Sequence, residues 1–256
     1  MRVLAFLDLD DTLFQTARKC PPGEAVTAVA FSSAGEPVSY LTARQQRFFE
    51  WLDRDAELVP VTGRSLGAFR RVHLPFSSHA VVNHGATVLN PDGSRDEGWH
   101  ARVQEQLERT RSQLERLLTA AKAHSEAHGL GVDAYWDGEA ELPLYLVAKH
   151  RGLDLDALDQ VRRFWLEELA ALERETGGEL YLFANGNNVS VLPRAISKAA
   201  AVAYLLERER ARGPLLALGV GDSVSDLGFM QLCDFALTPT GSQLLRAVPS
   251  DLSAHR

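Results

Sequence analysis

Two aspartates near the start of the chain are the first candidates for chemistry. The sequence reads DLDDT at residues 8–12, directly after the apolar residues 3–7. Asp8 and Asp10 are two positions apart, so an extended backbone would point both carboxylates the same way. Carboxylates that face one spot repel each other unless a proton or a cation neutralises them, and hard divalent cations bind oxygen ligands. The pattern therefore indicates a metal site, although an aspartate-rich turn that caps the next helix would have the same composition.

Three further polar clusters follow later in the chain. Residues 62–65 read TGRS, and a threonine hydroxyl together with the N–H groups of a following helix can hold phosphate oxygens. Asp222 and Asp226 are four residues apart, so one helical turn would place both carboxylates on one side. Lys198 offers the fixed cation that such an acidic, phosphate-binding site needs. Each cluster also has a simpler explanation: a helix cap at Ser65, acids that favour a helix N-terminus, and a surface lysine.

A parallel sheet is predicted to position these clusters. Residues 3–7 are apolar at every position rather than at alternate ones, which is typical of a strand covered on both faces. Four more short apolar segments predict strands, at residues 58–61, 80–82, 215–220 and 235–237. Helical patterns between several of them predict an α/β fold, a Rossmann-like parallel sheet core with helices on both faces. Ligands bind beyond the carboxyl ends of strands in such sheets, so the clusters are expected to converge there.

The middle of the chain has a different pattern of elements. Amphipathic helices are predicted at about residues 101–128 and 155–172, and each is followed by two strands. The turns of these two hairpins are predicted at residues 137–139 and 184–187. A separate hairpin is predicted earlier in the chain, at residues 25–40.

We interpret the αββαββ block as an inserted domain. Its predicted bounds are residues 91–192, and the core domain then consists of residues 1–90 and 193–256. The insertion is expected to form a separate layer that lies over the site.

Composition and charge narrow the functional classes. The 27 Lys and Arg residues against 34 Asp and Glu give a net charge of -7, which argues against a nucleic-acid partner. Two cysteines, Cys20 and Cys233, are too few for a disulfide framework. The apolar residues 3–7 are followed at once by aspartates, which argues against a signal peptide. No later segment has the roughly 18 apolar residues that a membrane span needs. A cytoplasmic protein without a membrane partner is therefore expected.

The clusters resemble the ordered motifs of the haloacid dehalogenase-like phosphohydrolases. The matching residues are DLDDT at 8–12, Thr62, Lys198, and GD at 221–222 followed by Asp226. The sequences VTGR and NHGA and the position of the αββαββ insertion resemble the branch with a type C2 cap domain. That branch includes Cof-like, sucrose-phosphate and mannosylglycerate-phosphate phosphatases. Two positions depart from the usual pattern: Ser225 stands where asparagine is frequent, and Asp11 where glycine is more usual.

The resemblance implies roles for the acidic residues. Asp8 would attack phosphorus to form an aspartyl-phosphate, a known way to divide a difficult displacement into two easier steps. Asp10 would protonate the leaving alcohol and then take a proton from the water that releases phosphate. Mg²⁺ would be held by Asp8, Asp222, the backbone carbonyl of Asp10, and Asp226 through water.

The resemblance also implies where the substrate binds. Thr62, Gly63 and Lys198 would hold the transferred phosphoryl group. Arg64 would either reach the substrate or brace the inserted domain. Within that domain, Asn187 in a hairpin turn and Lys149 at a basic strand end offer donors for sugar hydroxyls or a second anion. Lys149 could equally be part of a solvated strand end.

The expected function is a Mg²⁺-dependent phosphatase for a small phosphate monoester, with sugar phosphates as the preferred class. The expected partner is a small phosphorylated metabolite, and the expected state is a monomer or homodimer. A catalytically silent protein that binds a phosphorylated ligand is the main alternative. A receiver-type signalling domain fits less well, because it would be about half as long and would carry its phosphorylated aspartate after a later strand.

Overall fold

The computed structural model describes residues 1–139, 142–185 and 188–247. It divides into two compact units. The first unit is Met1–Trp99 with Lys198–Arg256, and the second is His100–Ser197. The first unit extends past the predicted boundary at residue 90 because the chain stays attached to it, with the Trp99 Nε1–H donating to the Gly85 carbonyl at 2.9 Å.

The described residues form the following strands and helices, numbered in chain order. The strands are β1 (Arg2–Leu7), β2 (Val26–Phe31), β3 (Pro37–Thr42), β4 (Glu57–Pro60), β5 (Ala80–Val82), β6 (Thr87–Leu89), β7 (Val132–Glu139), β8 (Leu142–His150), β9 (Leu180–Asn185), β10 (Asn188–Pro193), β11 (Leu215–Val220) and β12 (Phe235–Leu237). The helices are α1 (Ala43–Asp55), α2 (Leu66–Phe69), α3 (Glu97–Ala127), α4 (Leu155–Thr176), α5 (Lys198–Ala211), α6 (Leu227–Met230) and α7 (Gln243–Ala247). None of the helices in the described ranges is long and apolar enough to cross a membrane.

The first unit contains the predicted parallel sheet. Its strand order is β12-β11-β1-β4, and every pair is parallel. β1 lies inside the sheet, and its residues from Leu4 to Leu7 are buried, as expected for a strand that is apolar at every position. Helices flank the sheet; in α1, for example, Phe49 and Leu52 are buried. The prediction of an α/β core is confirmed.

The strand predicted at residues 80–82 pairs differently from the expectation. β5 makes one isolated parallel bridge, Val61 to Val81, and pairs along its length with β6 in the antiparallel sense. β6 was not predicted. The chain reverses between these strands through residues with positive φ, two of which, Asn83 and His84, are not glycines.

The predicted hairpin at residues 25–40 is formed by β2 and β3 and extends to Thr42. Thr42 and Gln45 then form a capping box that starts α1. The hairpin is tied to the acidic loop after β1, since Gln15 and Tyr40 exchange two backbone hydrogen bonds of 3.0 and 2.8 Å. Backbone hydrogen bonds therefore join the hairpin to the loop that carries Asp8.

The second unit is an antiparallel sheet with the order β7-β8-β10-β9. α3 and α4 pack with this sheet into one apolar core. Trp165 of α4 is fully buried there, and its Nε1–H donates to the Leu117 carbonyl of α3 at 3.1 Å. Asp154 caps the start of α4, and Gly177 ends it with a φ of 87°. The αββαββ order agrees with the prediction.

The two predicted hairpin turns of the second unit had different outcomes. The turn at residues 137–139 was wrong, because Gly138 and Glu139 pair with Pro143 and Leu142 inside the β7–β8 ladder. In the other hairpin, Ala184 and Asn185 are paired, and the remaining two residues of the predicted turn lie outside the described residues.

Candidate active site

The acidic clusters lie at one edge of the first unit's parallel sheet. Leu7, the last residue of β1, is in register with Val220 of β11 and Pro60 of β4. Asp8 continues directly from β1, and its N–H donates to the Val220 carbonyl at 2.8 Å. The segments that follow β4 and β11 therefore leave the sheet beside Asp8, which is the convergence that parallel strands predict.

Lys198 joins two of the predicted acids. Its Nζ lies 2.7 Å from Asp8 Oδ1 and 2.7 Å from Asp226 Oδ1. Asp8 is 5% exposed and Asp226 is 0% exposed, so this lysine is not the solvated surface residue of the simpler explanation. Burial lowers the pKa of Lys198, but the two carboxylates outweigh that effect and raise its pKa above the usual range. The lysine is therefore a fixed positive charge between the two acids.

Asp226 is held by the turn that precedes it. Its Oδ2 accepts hydrogen bonds from the Ser223 N–H at 3.0 Å and the Ser223 hydroxyl at 2.7 Å. Gly221 permits this close packing, because a Cβ at residue 221 would lie 2.5 Å from the Asp226 Cβ. Ser225, which stands where asparagine is frequent, bonds through its hydroxyl to that of Ser223 at 2.7 Å. With Lys198 on its other oxygen, Asp226 contacts donors through both carboxylate oxygens.

Three of the predicted metal ligands come together. Asp8, Asp222 and Asp226 each offer a carboxylate oxygen, and these atoms lie within 4.8 Å of one another. Burial, together with the nearby carboxylates of Asp226 and Asp11, raises the pKa of Asp222 to about 6. Three carboxylates around one ammonium leave an excess of negative charge, and the donors are all hard oxygens. The set therefore fits Mg²⁺.

Asp8 itself is buried among opposing influences. Burial raises the pKa of the Asp8 carboxyl to about 7, against the Lys198 ammonium, which lowers it. Its Oδ2 accepts a hydrogen bond from the Thr12 hydroxyl at 3.0 Å, and the same hydroxyl lies 3.4 Å from Asp222 Oδ1. Thr12 belongs to the DLDDT motif but was not predicted as a site residue. It lies here because the loop turns back, with the Leu13 N–H donating to the Leu9 carbonyl.

The side chain of Asp10 points to a different partner. Arg64 donates to both of its carboxylate oxygens, from Nε and from Nη2, each at 2.7 Å. The Asp10 carboxylate is not part of the metal-binding group found among the described residues. Its predicted contribution to the metal was through the backbone carbonyl, and that stays a prediction. Arg64 therefore has an intramolecular partner that neither of its two predicted roles included.

Thr62 and Gly63 follow β4 and are covered by the NHGA segment. Thr62 is 1% exposed, and its hydroxyl oxygen accepts from the Arg64 N–H at 3.1 Å. The His84 imidazole lies against Gly63 so closely that a Cβ at residue 63 would be 2.5 Å from His84 Cε1. Burial, with help from the Lys198 charge, lowers the pKa of His84 to about 3, so the ring is neutral. His84 was not predicted as a site residue.

One local feature agrees with a simpler explanation, and another explains a departure from the usual family pattern. The Ser65 hydroxyl accepts from the Ala68 N–H at 3.3 Å, so Ser65 caps α2 as the helix-cap explanation expected. Asp11 has a φ of 64°, a conformation that favours glycine but that aspartate tolerates. This explains why glycine would suit the position, and the Asp11 carboxylate is paired with Lys19.

Two of the predicted substrate residues belong to the second unit. Lys149 lies in β8, where it pairs in register with Asp133 of β7. Asn187 lies outside the described residues. Both assignments stay predictions.

Comparisons with known proteins give the fold. Sucrose-phosphatase from Synechocystis sp. PCC6803, solved with sucrose and phosphate, aligns with a TM-score of 0.57 and 21% identity over 96% of this chain and 87% of that one. Protein 0175 of Thermoplasma acidophilum aligns with a TM-score of 0.54 and 16% identity over 98% and 90%. The chain has the haloacid dehalogenase-like fold. No protein-family model matches it, and neither does any curated protein sequence.

The haloacid dehalogenase-like fold places the motif residues as the resemblance expected. The DLDDT loop follows β1, Thr62 follows β4, Lys198 begins α5, and Asp222 follows β11. The inserted αββαββ unit comes between the second and third of these. Chains of this fold host many activities, so the chemistry must be argued from the side chains themselves.

Proposed function

We propose that this protein is a Mg²⁺-dependent phosphatase that hydrolyses a small phosphate monoester through an aspartyl-phosphate on Asp8. The observation that carries the proposal is the setting of Asp8. One of its oxygens is bonded to the Lys198 ammonium, the other to the Thr12 hydroxyl, and two more carboxylates lie beside it. A carboxylate fixed in this way at the sheet edge is oriented for attack on a bound phosphoryl group.

The charges of the site suit phosphoryl transfer. Asp8, Asp222 and Asp226 would hold Mg²⁺, which supplies charge neutralisation and a template for the phosphate oxygens when it is bound. Lys198 is a permanent cation next to the proposed nucleophile, and it can balance the charge of the transferred group. Thr62 and the backbone N–H of Gly63 are the proposed partners of the phosphate oxygens.

Asp10 is the proposed acid and base. In the first step its carboxyl proton would pass to the ester oxygen while the bond from Asp8 to phosphorus forms and the ester P–O bond breaks. In the second step its carboxylate would take a proton from water while the water oxygen bonds to phosphorus and the Asp8–phosphorus bond breaks. The products are an alcohol and inorganic phosphate, and both aspartates return to their starting states.

Sugar phosphates are the substrate class that we propose. The support is the resemblance to the branch with a type C2 cap domain and the name of the aligned Synechocystis protein, a sucrose-phosphatase. By the same resemblance the second unit would select among substrates. A cytoplasmic location and a monomeric or homodimeric state are further predictions.

The test is a panel of phosphate esters that includes p-nitrophenyl phosphate and several sugar phosphates. Each is assayed for inorganic phosphate with Mg²⁺ and with EDTA. We expect release with Mg²⁺ only, and no release by Asp8→Asn. Asp53→Asn is the matched control, because it makes the same change on the exposed side of α1. Undiminished activity in Asp8→Asn would contradict the proposal, as would phosphate binding by the wild type without turnover of any ester.

A further inference from the structure

Arg64 makes an unusually complete set of contacts for an arginine beside a proposed acid and base. Its Nε and Nη2 bond to the two oxygens of Asp10, each at 2.7 Å, and Nη2 also donates to the Ser39 hydroxyl at 3.1 Å. The guanidinium carbon lies 5.0 Å from the centre of the Phe14 ring. Two parallel N–H···O bonds fix both the distance and the plane of a carboxylate, which a lysine could not do.

Within this pair, Arg64 is the fixed partner. Its side chain is 15% exposed, whereas that of Asp10 is 47% exposed. The Arg64 backbone is held as well, because its N–H donates to the Thr62 hydroxyl oxygen and its carbonyl accepts from the Asn83 N–H at 2.8 Å. The orientation of the Asp10 carboxylate is therefore set by an arginine that four other groups hold in place.

Ser39 connects this pair to the β2–β3 hairpin. It lies in β3, is 2% exposed and contacts the same Arg64 nitrogen that bonds to Asp10 Oδ1. The exchange of backbone hydrogen bonds between Gln15 and Tyr40 anchors the neighbouring residue of β3 to the loop that carries Asp10. The hairpin thus contributes a side chain to the site.

We propose that Arg64 is a positioning residue for Asp10, and that Ser39 makes the β2–β3 hairpin part of the active site by holding Arg64. This inference rests on the proposed phosphatase function. Arg64 contacts both oxygens of the carboxylate form, which is the form that takes the proton from water in the second step. It also keeps Asp10 beside the position from which it protonates the ester oxygen in the first step.

The leaving group of the substrate provides a selective test. An alkoxide from a sugar phosphate is a poor leaving group and needs the proton from Asp10, whereas p-nitrophenolate leaves without one. General acid catalysis contributes about 100- to 10,000-fold in enzymes, so a misplaced acid loses a part of that on one substrate class only. We expect Arg64→Gln to lower the rate of phosphoenzyme formation, measured as the burst, by about 10- to 100-fold with an alkyl phosphate and by less than about 3-fold with p-nitrophenyl phosphate.

A double-mutant cycle separates positioning from general damage. If Arg64 acts through Asp10, then Arg64→Gln should cost almost nothing further on the alkyl phosphate once Asp10→Asn is present. Arg64→Lys keeps the charge but loses the two-point contact, so it should show part of the selective loss on the alkyl phosphate. Ser39→Ala should also lower the burst rate more for the alkyl phosphate than for p-nitrophenyl phosphate, but by a smaller factor than Arg64→Gln. Arg71→Gln is the matched control, because Arg71 also bonds the hairpin, through the Phe31 carbonyl, without contacting Asp10.

The outcomes are distinguishable from failure of the proposed function. An active wild type with the selective, non-additive loss supports the inference. An active wild type in which Arg64→Gln lowers the burst rates of both substrates equally, or lowers the burst rate of the alkyl phosphate equally with and without Asp10→Asn, overturns the inference and leaves the phosphatase function intact. A wild type that releases no phosphate from either substrate overturns both. Circular dichroism of every variant excludes unfolding as the cause, and Arg64→Lys supplies the comparison if Arg64→Gln does not fold.

Discussion

Lys198→Met removes the ammonium that pairs with two buried carboxylates. Both contacts are 2.7 Å long. Asp8 and Asp226 are 5% and 0% exposed, so bulk water cannot replace the hydrogen bonds that their carboxylates lose. Removing one partner of a buried ion pair costs about 3–5 kcal/mol, because a charge is left buried without compensation. Methionine keeps most of the length of the apolar stem, so little packing is lost. We expect the free energy of unfolding to fall by about that amount at about pH 8 in EDTA.

The loss should be smaller in acid. Burial raises the pKa of Asp8 to about 7 even with Lys198 present, and without the lysine it rises further. A carboxyl whose pKa is higher in the folded than in the unfolded chain binds more protons when folded. The unfolded chain is the same reference for both proteins, so the part of the loss that comes from Asp8 is absent while both folded proteins keep this carboxyl protonated, and it grows as the pH rises above about 7. At about pH 5 Asp8 is protonated in both proteins, and we expect a smaller loss there than at about pH 8.

Urea unfolding followed by circular dichroism, with EDTA at both pH values, measures these losses. Lys122→Met is the matched control, because Lys122 is an exposed lysine of α3. A loss below about 1 kcal/mol, the size expected for a surface pair, would refute the reasoning. So would a loss of equal size at the two pH values.

Three further predictions follow from the site. Mg²⁺ should raise the thermal midpoint more at about pH 8 than at about pH 5, because binding needs deprotonated ligands and burial raises the pKa of Asp222 to about 6. An equal shift at both pH values, or a shift that persists in Asp222→Asn, would contradict this. Gly63→Ala should destabilise by about 1–3 kcal/mol through its clash with the His84 ring, and urea unfolding should show almost no cost in a His84→Ala background, whereas additive costs would count against the contact. Thr12→Val should cost about 1–3 kcal/mol, because the buried Asp8 carboxylate loses a donor; Thr12→Ser should restore most of it, and a neutral valine would show that the hydrogen bond does not contribute.

The strands that position the site were predictable because each is an uninterrupted apolar segment. Residues 215–220 and 235–237 were predicted as strands, and β11 and β12 have the same bounds. An uninterrupted apolar segment between turn residues has few other stable places in a soluble protein. The polar residues that end each strand then converge because parallel strands bring their carboxyl ends to one edge.

Residues with special backbone geometry were harder to interpret. The sequence Asp-Gly-Glu at residues 137–139 has the composition of a turn, yet Gly138 pairs within a ladder. Its φ is 151°, and a Cβ there would lie 2.6 Å from the Leu142 carbonyl oxygen. The glycine lies at a register shift of the β7–β8 ladder, and composition alone does not distinguish such a position from a turn. β6 was missed for a similar reason, because the chain reverses before it at Asn83 and His84, whose positive φ values the composition does not indicate.

The contact between Arg64 and Asp10 could not be predicted for a different reason. The two residues are 54 positions apart, and the partner of a long side chain depends on packing that no local pattern records. The same is true of Ser39, which is 25 positions from Arg64. Motif order predicted which strands carry the candidate residues, whereas the division of those residues between the two clusters, Asp8 with Lys198 and Asp10 with Arg64, required the structure.

The central claim is that Asp8 carries the phosphoryl group between the two steps. The direct measurement is mass spectrometry of peptides from Asp10→Asn, quenched in acid after mixing with substrate and Mg²⁺, because that variant lacks the base for the second step and should accumulate the intermediate. p-Nitrophenyl phosphate is the substrate, since its leaving group does not need the proton of Asp10. We predict one added phosphoryl group on the peptide that contains Asp8, sensitive to hydroxylamine and absent when EDTA replaces Mg²⁺. Phosphate release without a phosphorylated Asp8 peptide, or a phosphoryl group on another residue, would contradict the account.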